Sequence, residues 1–163
     1  DQYFMGIATL SAERSKDPST QVGACIVNPE NKIIGIGYNG FPTGISDDDL
    51  PWARTGDPLE TKYLYVCHSE LNAIINSIQN LKGCTLYVSL FPCNECAKSI
   101  IQSGIKKVVY AEDKYSETNE VKASKKMLEL AKIECEEYLF VNKQIVINIW
   151  KPGFFKKWIT TYD

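Results

Sequence analysis

The chain has 163 residues, of which 44% are hydrophobic, so we expect a single domain over residues 1–163, with its core between about residues 3 and 140. Its 18 basic and 20 acidic residues leave a formal net charge of −2, which argues against a nucleic-acid partner because such proteins usually carry a basic surplus. No apolar run reaches the length of a membrane span and the first residues lack a secretory signal, so we expect a cytoplasmic protein with no membrane partner.

The first part of the chain predicts a helix followed by a hairpin. Residues 3–14 place apolar side chains on one helix face, and the run ends at a proline-containing loop. Residues 22–28 and 32–38 are β-rich runs separated by turn-forming residues, which indicates an antiparallel hairpin. The next segment, residues 39–61, is rich in Gly, Pro and Asp and is too long for a simple connection. We interpret this segment as a lid or an effector-binding loop.

The remainder of the chain predicts alternating helices and strands. Helices are predicted at 69–80, 94–103 and 120–131, strands at 85–89 and 106–111, and one or two final strands over 134–141 and 144–149. This order indicates an α/β fold in which helices cover both faces of a mixed sheet. Cys25 and Cys84 fall in or beside predicted strands, and we expect them to be small core residues.

Two short motifs, His68-Ser69-Glu70 and Pro92-Cys93-Asn94-Glu95-Cys96, each open a predicted helix. Cysteines three positions apart lie on one helix face, and the positive helix N-terminus favours the thiolates that bind metal. Together with the imidazole they give zinc three protein ligands and leave the fourth tetrahedral position to water, as in a catalytic site. The glutamate lies beside the metal without needing to bind it, which is where a base for that water belongs.

The order H-x-E followed by P-C-x-x-C is the signature of zinc nucleobase deaminases. We therefore expect His68, Cys93 and Cys96 to bind zinc and Glu70 to be the catalytic proton shuttle. A structural zinc clip with an incidental glutamate is the alternative interpretation, and the open fourth position argues against it. The other four cysteines are expected to stay reduced and without metal.

Further stretches of the chain resemble the deoxycytidylate deaminases, in loops as well as in core segments. They cover residues 14–28, 35–52, 65–74, 90–110 and 111–115, within a match that runs from Tyr3 to about Tyr138. The resemblance implies a three-layer α/β/α sandwich with a mixed five-stranded sheet. It also implies hydrolysis of dCMP to dUMP and ammonia, which supplies thymidylate synthesis. The implied assembly is a homohexamer that dCTP activates together with Mg²⁺ and that dTTP inhibits.

The resemblance assigns roles beyond the metal motif. Asn39 matches the asparagine that hydrogen-bonds the substrate nucleoside, whereas its sequence pattern alone is that of a turn residue. The surrounding glycine-rich loop resembles an effector-binding loop, with Gly37, Tyr38 and Gly40 as the expected contacts. Gly40 would let the backbone approach a phosphate closely.

The phosphate of dCMP carries close to two negative charges, so a pocket selective for a monophosphate needs a cation or a helix N-terminus. Lys16 and Lys114 flank the matched motifs and are expected to bind this phosphate. Tyr115 is expected to act as a wall or as a hydrogen-bond donor.

The chain departs from the family pattern in three places. Ser69 stands where the family usually has alanine, and we expect this change to alter neither a ligand nor the base. His68 is the only histidine, so the second, structural zinc of some phage-type relatives is not expected and one zinc per subunit is predicted. Residues from 144 onward, with aromatics and lysines interleaved at 150–158, have no counterpart. We interpret them as a subunit contact or a solvated helix face.

Two other function classes share parts of this pattern. A tRNA adenosine deaminase or a polynucleotide cytidine deaminase would use the same zinc and glutamate, but it would also need a basic surface for the phosphate backbone. A catalytically inactive nucleotide-sensing or assembly protein on the same fold would not need Glu70. An ammonia-release assay separates an enzyme from this last class.

Overall fold

The computed structural model describes residues 1–139, and the predicted strand at 144–149 and the aromatic segment at 150–158 lie outside that range. The helices are α1 (Gln2–Ala12), α2 (Ser69–Ile75), α3 (Asn94–Ser103) and α4 (Asn119–Leu130), with short 3₁₀ helices at Pro58–Glu60 and Lys62–Leu64. The strands are β1 (Gly23–Val27), β2 (Ile33–Tyr38), β3 (Thr85–Val88), β4 (Lys107–Tyr110) and β5 (Glu134–Glu137). Within residues 1–139, no helix combines the length and the hydropathy that a membrane span requires.

The five strands form one mixed sheet in the order β2-β1-β3-β4-β5. The predicted hairpin is confirmed, since β1 pairs antiparallel with β2 and Gly23 lies opposite Tyr38. β1 also pairs antiparallel with β3, whereas β3, β4 and β5 are parallel to one another. Strands β2, β3, β4 and β5 therefore run in one direction and β1 runs in the opposite one. The carboxyl ends of these four strands lie along one edge of the sheet.

The helices cover the sheet on both faces. On one face Met5 and Ala8 of α1 pack in a buried cluster with Cys25 and Tyr87. On the other face α2, α3 and α4 contribute a larger cluster of buried residues: Ala73, Ala97, Ile100, Val121 and Leu128. The predicted three-layer α/β/α arrangement is thus confirmed in the described part of the chain.

The two cysteines predicted to be core residues are buried, with 0% of Cys25 and 1% of Cys84 exposed. Burial raises the pKa of Cys25 to about 12. The thiol of Cys25 therefore stays protonated over the neutral pH range.

Helix α2 rests directly on the backbone of β2, because Gly37 of that strand has no side chain. A Cβ atom at Gly37 would lie 2.2 Å from the backbone oxygen of Ser69 and 2.3 Å from the backbone nitrogen of Ala73. Gly35, two residues earlier in the strand, allows the same close approach, since a Cβ atom added there would lie 2.6 Å from the backbone oxygen of Ala73. The strand thereby fixes the helix that follows the first metal motif.

Two predicted elements extend beyond the observed ones by about four residues or more. Helix α2 was predicted to reach residue 80, but it ends at Ile75, because the backbone of Ile78 donates to the oxygen of Ile34 and not to its own helix. A turn follows, in which Lys82 N donates to Asn80 Oδ1 at 2.8 Å. Strand β5 ends at Glu137 and not at residue 141.

Candidate active site

Three side chains that can bind a metal converge at the N-termini of α2 and α3. His68 immediately precedes α2, Cys93 immediately precedes α3, and Cys96 lies in the first turn of α3. Nδ1 of His68 lies 3.4 Å from Sγ of Cys93 and 3.4 Å from Sγ of Cys96. All three ligand atoms lie within 4.8 Å of one another.

The spacing of these atoms fits zinc. Tetrahedral zinc with ordinary bond lengths to sulfur and nitrogen would separate the two kinds of ligand atom by about 3.6 Å. The two observed N–S distances of 3.4 Å are close to that value. One imidazole and two thiols also form a donor set that zinc prefers, and three protein ligands leave one coordination position open.

The sheet brings the two motifs together. Asn39 follows β2, the segment with Cys93 follows β3, and Tyr115 follows β4, so all three lie at the common carboxyl edge of these strands. Open α/β sheets bind ligands at this edge. The residue before His68 is held by an antiparallel bridge between Cys67 and Gly40, with N–O distances of 2.8 and 3.1 Å.

Hydrogen bonds among the three ligand side chains shift their pKa values. A hydrogen bond from Cys96 lowers the pKa of Cys93 to about 3, and the same interaction raises the pKa of Cys96. The hydrogen bond to Cys93 raises the pKa of His68 to about 9. A metal competes with these protons for the same lone pairs, so metal binding at this site is coupled to proton release.

Glu70 lies in the first turn of α2 and only 4% of it is exposed. Its carboxylate oxygen Oε2 accepts a hydrogen bond of 2.9 Å from the hydroxyl of Ser69. Burial raises the pKa of Glu70, because the charged form loses its hydration. A carboxyl group with a raised pKa both takes up and releases a proton more readily near neutral pH, as a proton shuttle must.

A cavity of about 570 Å³ extends from the metal ligands to the long loop that follows β2. Its lining includes His68, Cys93 and Glu70 of the two motifs, and also Arg54 and Tyr63 from the segment between β2 and α2. This volume lies in the usual range for small-molecule sites. The cavity therefore joins the metal motif to a region that the sequence motifs do not mark.

Asn39 lines this cavity with its amide held in one orientation. Its Nδ2 donates to Asp17 Oδ2 at 3.2 Å and to the oxygen of Thr20 at 3.0 Å. Its Oδ1 accepts from the backbone of Val22 at 2.8 Å. Both amide hydrogens are thus used, and one lone pair of Oδ1 remains to accept from a ligand.

A buried ion pair lies beside this amide and was not predicted from the sequence. Nζ of Lys62 lies 2.5 Å from Oδ2 of Asp17, and the two side chains are 8% and 2% exposed. Both residues line the cavity. The pair joins the loop after α1 to the end of the long loop, 45 positions later in the chain. No local pattern marks such a contact.

The two lysines expected to bind a phosphate lie outside the cavity lining. Lys16 is exposed, although Asp17 beside it is buried, and Lys114 is exposed with its Nζ 5.3 Å from the ring centroid of Tyr115. The cavity is instead lined by Arg54 of the long loop and by Tyr115 itself. The positions of the lysines therefore do not support the predicted phosphate contacts.

Arg54 is a second cation, besides Lys62, that lines the cavity and that no sequence motif marks. Its Nε donates to the hydroxyl of Tyr63 at 3.2 Å, and this hydrogen bond raises the pKa of Arg54. Within residues 1–139 it forms no ion pair with a carboxylate. The interpretation of residues 39–61 as a functional loop was the one signal that pointed to this segment.

The three residues expected to contact an effector differ in their surroundings. Gly37 is buried beneath α2, where a Cβ atom would clash with the helix. The oxygen of Tyr38 accepts from Nδ2 of Asn72 at 2.8 Å. Gly40, by contrast, has nothing within 4 Å of the position that a Cβ atom would occupy. Of the three, only Gly40 has room for a ligand beside its backbone.

Comparison with known proteins gives one consistent set of relatives. The family model for the cytidine and deoxycytidylate deaminase zinc-binding region matches residues 1–112. The deoxycytidylate deaminase of Mus musculus is 58% identical over 149 residues, which are 90% of this chain and 84% of that protein. The deoxycytidylate deaminase of Homo sapiens is 56% identical over the same shares of the two chains.

A solved structure agrees with these sequence relatives. The dCMP deaminase of the cyanophage S-TIM5, in complex with dCMP and dUMP, superposes with a TM-score of 0.67. It is 28% identical to this chain, and the alignment covers 84% of this chain and 95% of the phage protein.

Proposed function

The chain belongs to the cytidine and deoxycytidylate deaminase family, and we propose that it hydrolyses dCMP to dUMP and ammonia. The observation that carries the proposal is the convergence of His68, Cys93 and Cys96 on one point of a cavity that Glu70 also lines. The relatives named deoxycytidylate deaminase, at 56% and 58% identity over 90% of the chain, support dCMP as the substrate.

The ligand set and Glu70 divide the chemistry. Zinc held by the three ligands would supply a Lewis acid that lowers the pKa of water to about 7. Glu70 accepts a proton from the attacking water and delivers protons to N3 of the cytosine ring and to the departing amine. Oxygen from water thereby replaces nitrogen at C4, and ammonia leaves. One buried carboxyl group serves all these transfers, since it lines the cavity with the metal ligands.

The rest of the cavity is suited to a nucleotide. Oδ1 of Asn39 has one lone pair left, which can accept a hydrogen bond from a hydroxyl of the sugar. Arg54 also lines the cavity, and within residues 1–139 it donates to Tyr63 and forms no ion pair with a carboxylate, so its charge is available to a phosphate. A guanidinium group holds a phosphate through charge-assisted hydrogen bonds, which are stronger than those between neutral groups.

A substrate panel tests this proposal. The zinc-loaded full chain is incubated with dCMP, with deoxycytidine and with a cytosine-containing single-stranded oligonucleotide, and both ammonia and the deaminated product are measured. We expect dUMP and ammonia in equal amounts, with kcat/KM for dCMP at least about tenfold above that for deoxycytidine. Equal turnover of dCMP and deoxycytidine would contradict a monophosphate-selective site, and efficient deamination of the oligonucleotide would favour a polynucleotide deaminase instead.

The same function includes regulation and assembly. One zinc per subunit, a homohexamer, activation by dCTP with Mg²⁺ and inhibition by dTTP are parts of the proposal, and the open backbone at Gly40 is compatible with an effector contact. An effector acts only through different affinities for two states of the enzyme, so the half-saturating dCMP concentration is expected to fall with dCTP and to rise with dTTP. Sedimentation velocity tests the hexamer.

A further inference from the structure

Ser69 lies between a zinc ligand and the base, and the described structure gives its hydroxyl a single partner. The residue is 0% exposed, so water does not reach the hydroxyl. Within residues 1–139 its Oγ makes one hydrogen bond, which is the donation to Oε2 of Glu70 at 2.9 Å. This partner allows the hydroxyl a role that the alanine expected from the family resemblance could not fill.

We propose that Ser69 is a positioning residue, whose hydroxyl holds Oε2 of Glu70 in place and leaves Oε1 to exchange protons with water and substrate. The inference rests on the proposed function, because it assigns Ser69 a task in the same proton transfers. It concerns the orientation of the carboxylate and not its charge.

The position of Ser69, the donor, is fixed by the contact between α2 and β2. The backbone oxygen of Ser69 lies against β2, where a Cβ atom at Gly37 would come within 2.2 Å of it. A buried hydroxyl that lost its only acceptor would leave a polar group unsatisfied, which is unfavourable. The hydrogen bond to Glu70 therefore persists as long as α2 stays seated on the strand.

The carboxylate of Glu70 needs a hydrogen-bond donor such as Ser69 to fix its orientation. The last side-chain torsion of a glutamate has broad, roughly twofold minima, so the carboxylate plane rotates unless something holds it. Glu70 lines the cavity, and its carboxylate also lies beside its own backbone N–H and the thiol of Cys96, so the hydroxyl of Ser69 is one of several groups that set its orientation. A displacement of about 1 Å in a reacting group costs up to about 10²-fold in rate. Loss of the hydroxyl should therefore lower the rate of the chemical step more than the binding of substrate.

The first test is the variant Ser69→Ala, which carries the usual family residue and should fold. In the zinc-loaded full chain we expect kcat for dCMP to fall about tenfold, with KM within about twofold and with one zinc still bound. The matched control is Ser124→Ala, since Ser124 is also 0% exposed and its Oγ has no hydrogen-bond partner within residues 1–139. The control should keep wild-type kcat.

The second test does not depend on activity. Ser69→Ala is expected to lower the thermal unfolding midpoint by about 2–4 °C in the wild-type background and not at all in the Glu70→Ala background. If the wild-type chain fails to convert dCMP, the proposed function is wrong, but this cycle still measures the contact between the two side chains. An unchanged kcat in Ser69→Ala, a change confined to KM, or equal midpoint shifts in both backgrounds would overturn the inference.

Discussion

Two parts of the cavity lining are assembled in different ways. The metal end consists of His68 and Glu70 at the start of α2 and of Cys93 and Cys96 at the start of α3. Arg54 comes instead from the long loop after β2. The first set has spacings that a helix imposes, whereas the second depends on how a loop packs. We infer that the helix N-termini provide the chemistry and that the loop provides the selectivity for a phosphate.

The largest effect is expected from a variant that changes the metal end alone. Glu70→Gln keeps the shape of the side chain but cannot accept a proton, and general acid and base catalysis is typically worth about 10² to 10⁴ in rate. Because the proposed function gives Glu70 several proton transfers, we expect kcat to fall by about 10⁴ or more while zinc stays bound. The measurements are dUMP formation and metal content.

Glu95→Gln is the control for that variant. Its carboxylate is also in the first turn of a helix, but 70% of the side chain is exposed and it pairs with Lys98. Turnover within about twofold of wild type is expected, because exposed ion pairs contribute little. Near wild-type activity of Glu70→Gln with zinc bound would mean that another group carries the protons.

A second variant breaks the connection between the loop and the rest of the cavity. Lys62→Met leaves Asp17 buried without its cation, and removing one partner of a buried pair costs about 3–5 kcal/mol. We expect urea unfolding to show a loss of that size. Lys98→Met removes an exposed partner and should cost about 1 kcal/mol or less. Equal losses in the two variants would show that the buried pair does not hold the loop.

A third variant acts on selectivity. Arg54→Ala is expected to lower kcat/KM for dCMP by about 10- to 100-fold, because it removes the charge-assisted hydrogen bonds to the phosphate. Turnover of deoxycytidine should not change, since it carries no phosphate. Lys16→Ala is the matched control, because Lys16 is an exposed cation outside the cavity lining. A larger effect at Lys16 would restore the sequence-based assignment.

The smallest expected effect concerns the support of the metal end. Gly37→Ala forces a Cβ atom against α2, and overpacking of this kind costs about 1–3 kcal/mol. We expect a lower free energy of unfolding and weaker zinc binding, since His68 and Glu70 move with the helix. Gly40→Ala has free space at the corresponding position and should unfold like the wild type. Unchanged zinc affinity in Gly37→Ala would show that the strand does not set the ligand geometry.

Most of the fold could be predicted because its signals are local. Alternating helix and strand patterns gave the hairpin, the mixed sheet and the helices α3 and α4 to within about a residue or two at each end. The end of α2 could not be predicted, since the apolar pattern continues to Ile78, whereas its backbone bonds to Ile34 of β2. The hydrogen bond that ends the helix is a tertiary contact between distant parts of the chain, so a short stretch of sequence does not reveal it.

The same distinction applies to the site. His68, Cys93 and Cys96 could be predicted together because two short motifs carry a recognisable ligand spacing, and the structure brings them within 4.8 Å of one another. Arg54 could not be predicted, because its approach to the cavity follows from the path of the long loop. Lys16 was predicted to bind the phosphate because it lies beside a matched motif. Adjacency in sequence, however, does not decide which way a side chain in a loop points.

The most direct test of the central claim is a zinc titration of the metal-depleted full chain, followed by the rate of dCMP conversion. If the three ligands form one catalytic site, activity should rise linearly and reach a plateau at one zinc per chain, and Cys96→Ala should neither retain zinc nor recover activity. A plateau at two zinc ions per chain, activity without zinc, or zinc retained by Cys96→Ala would contradict the account.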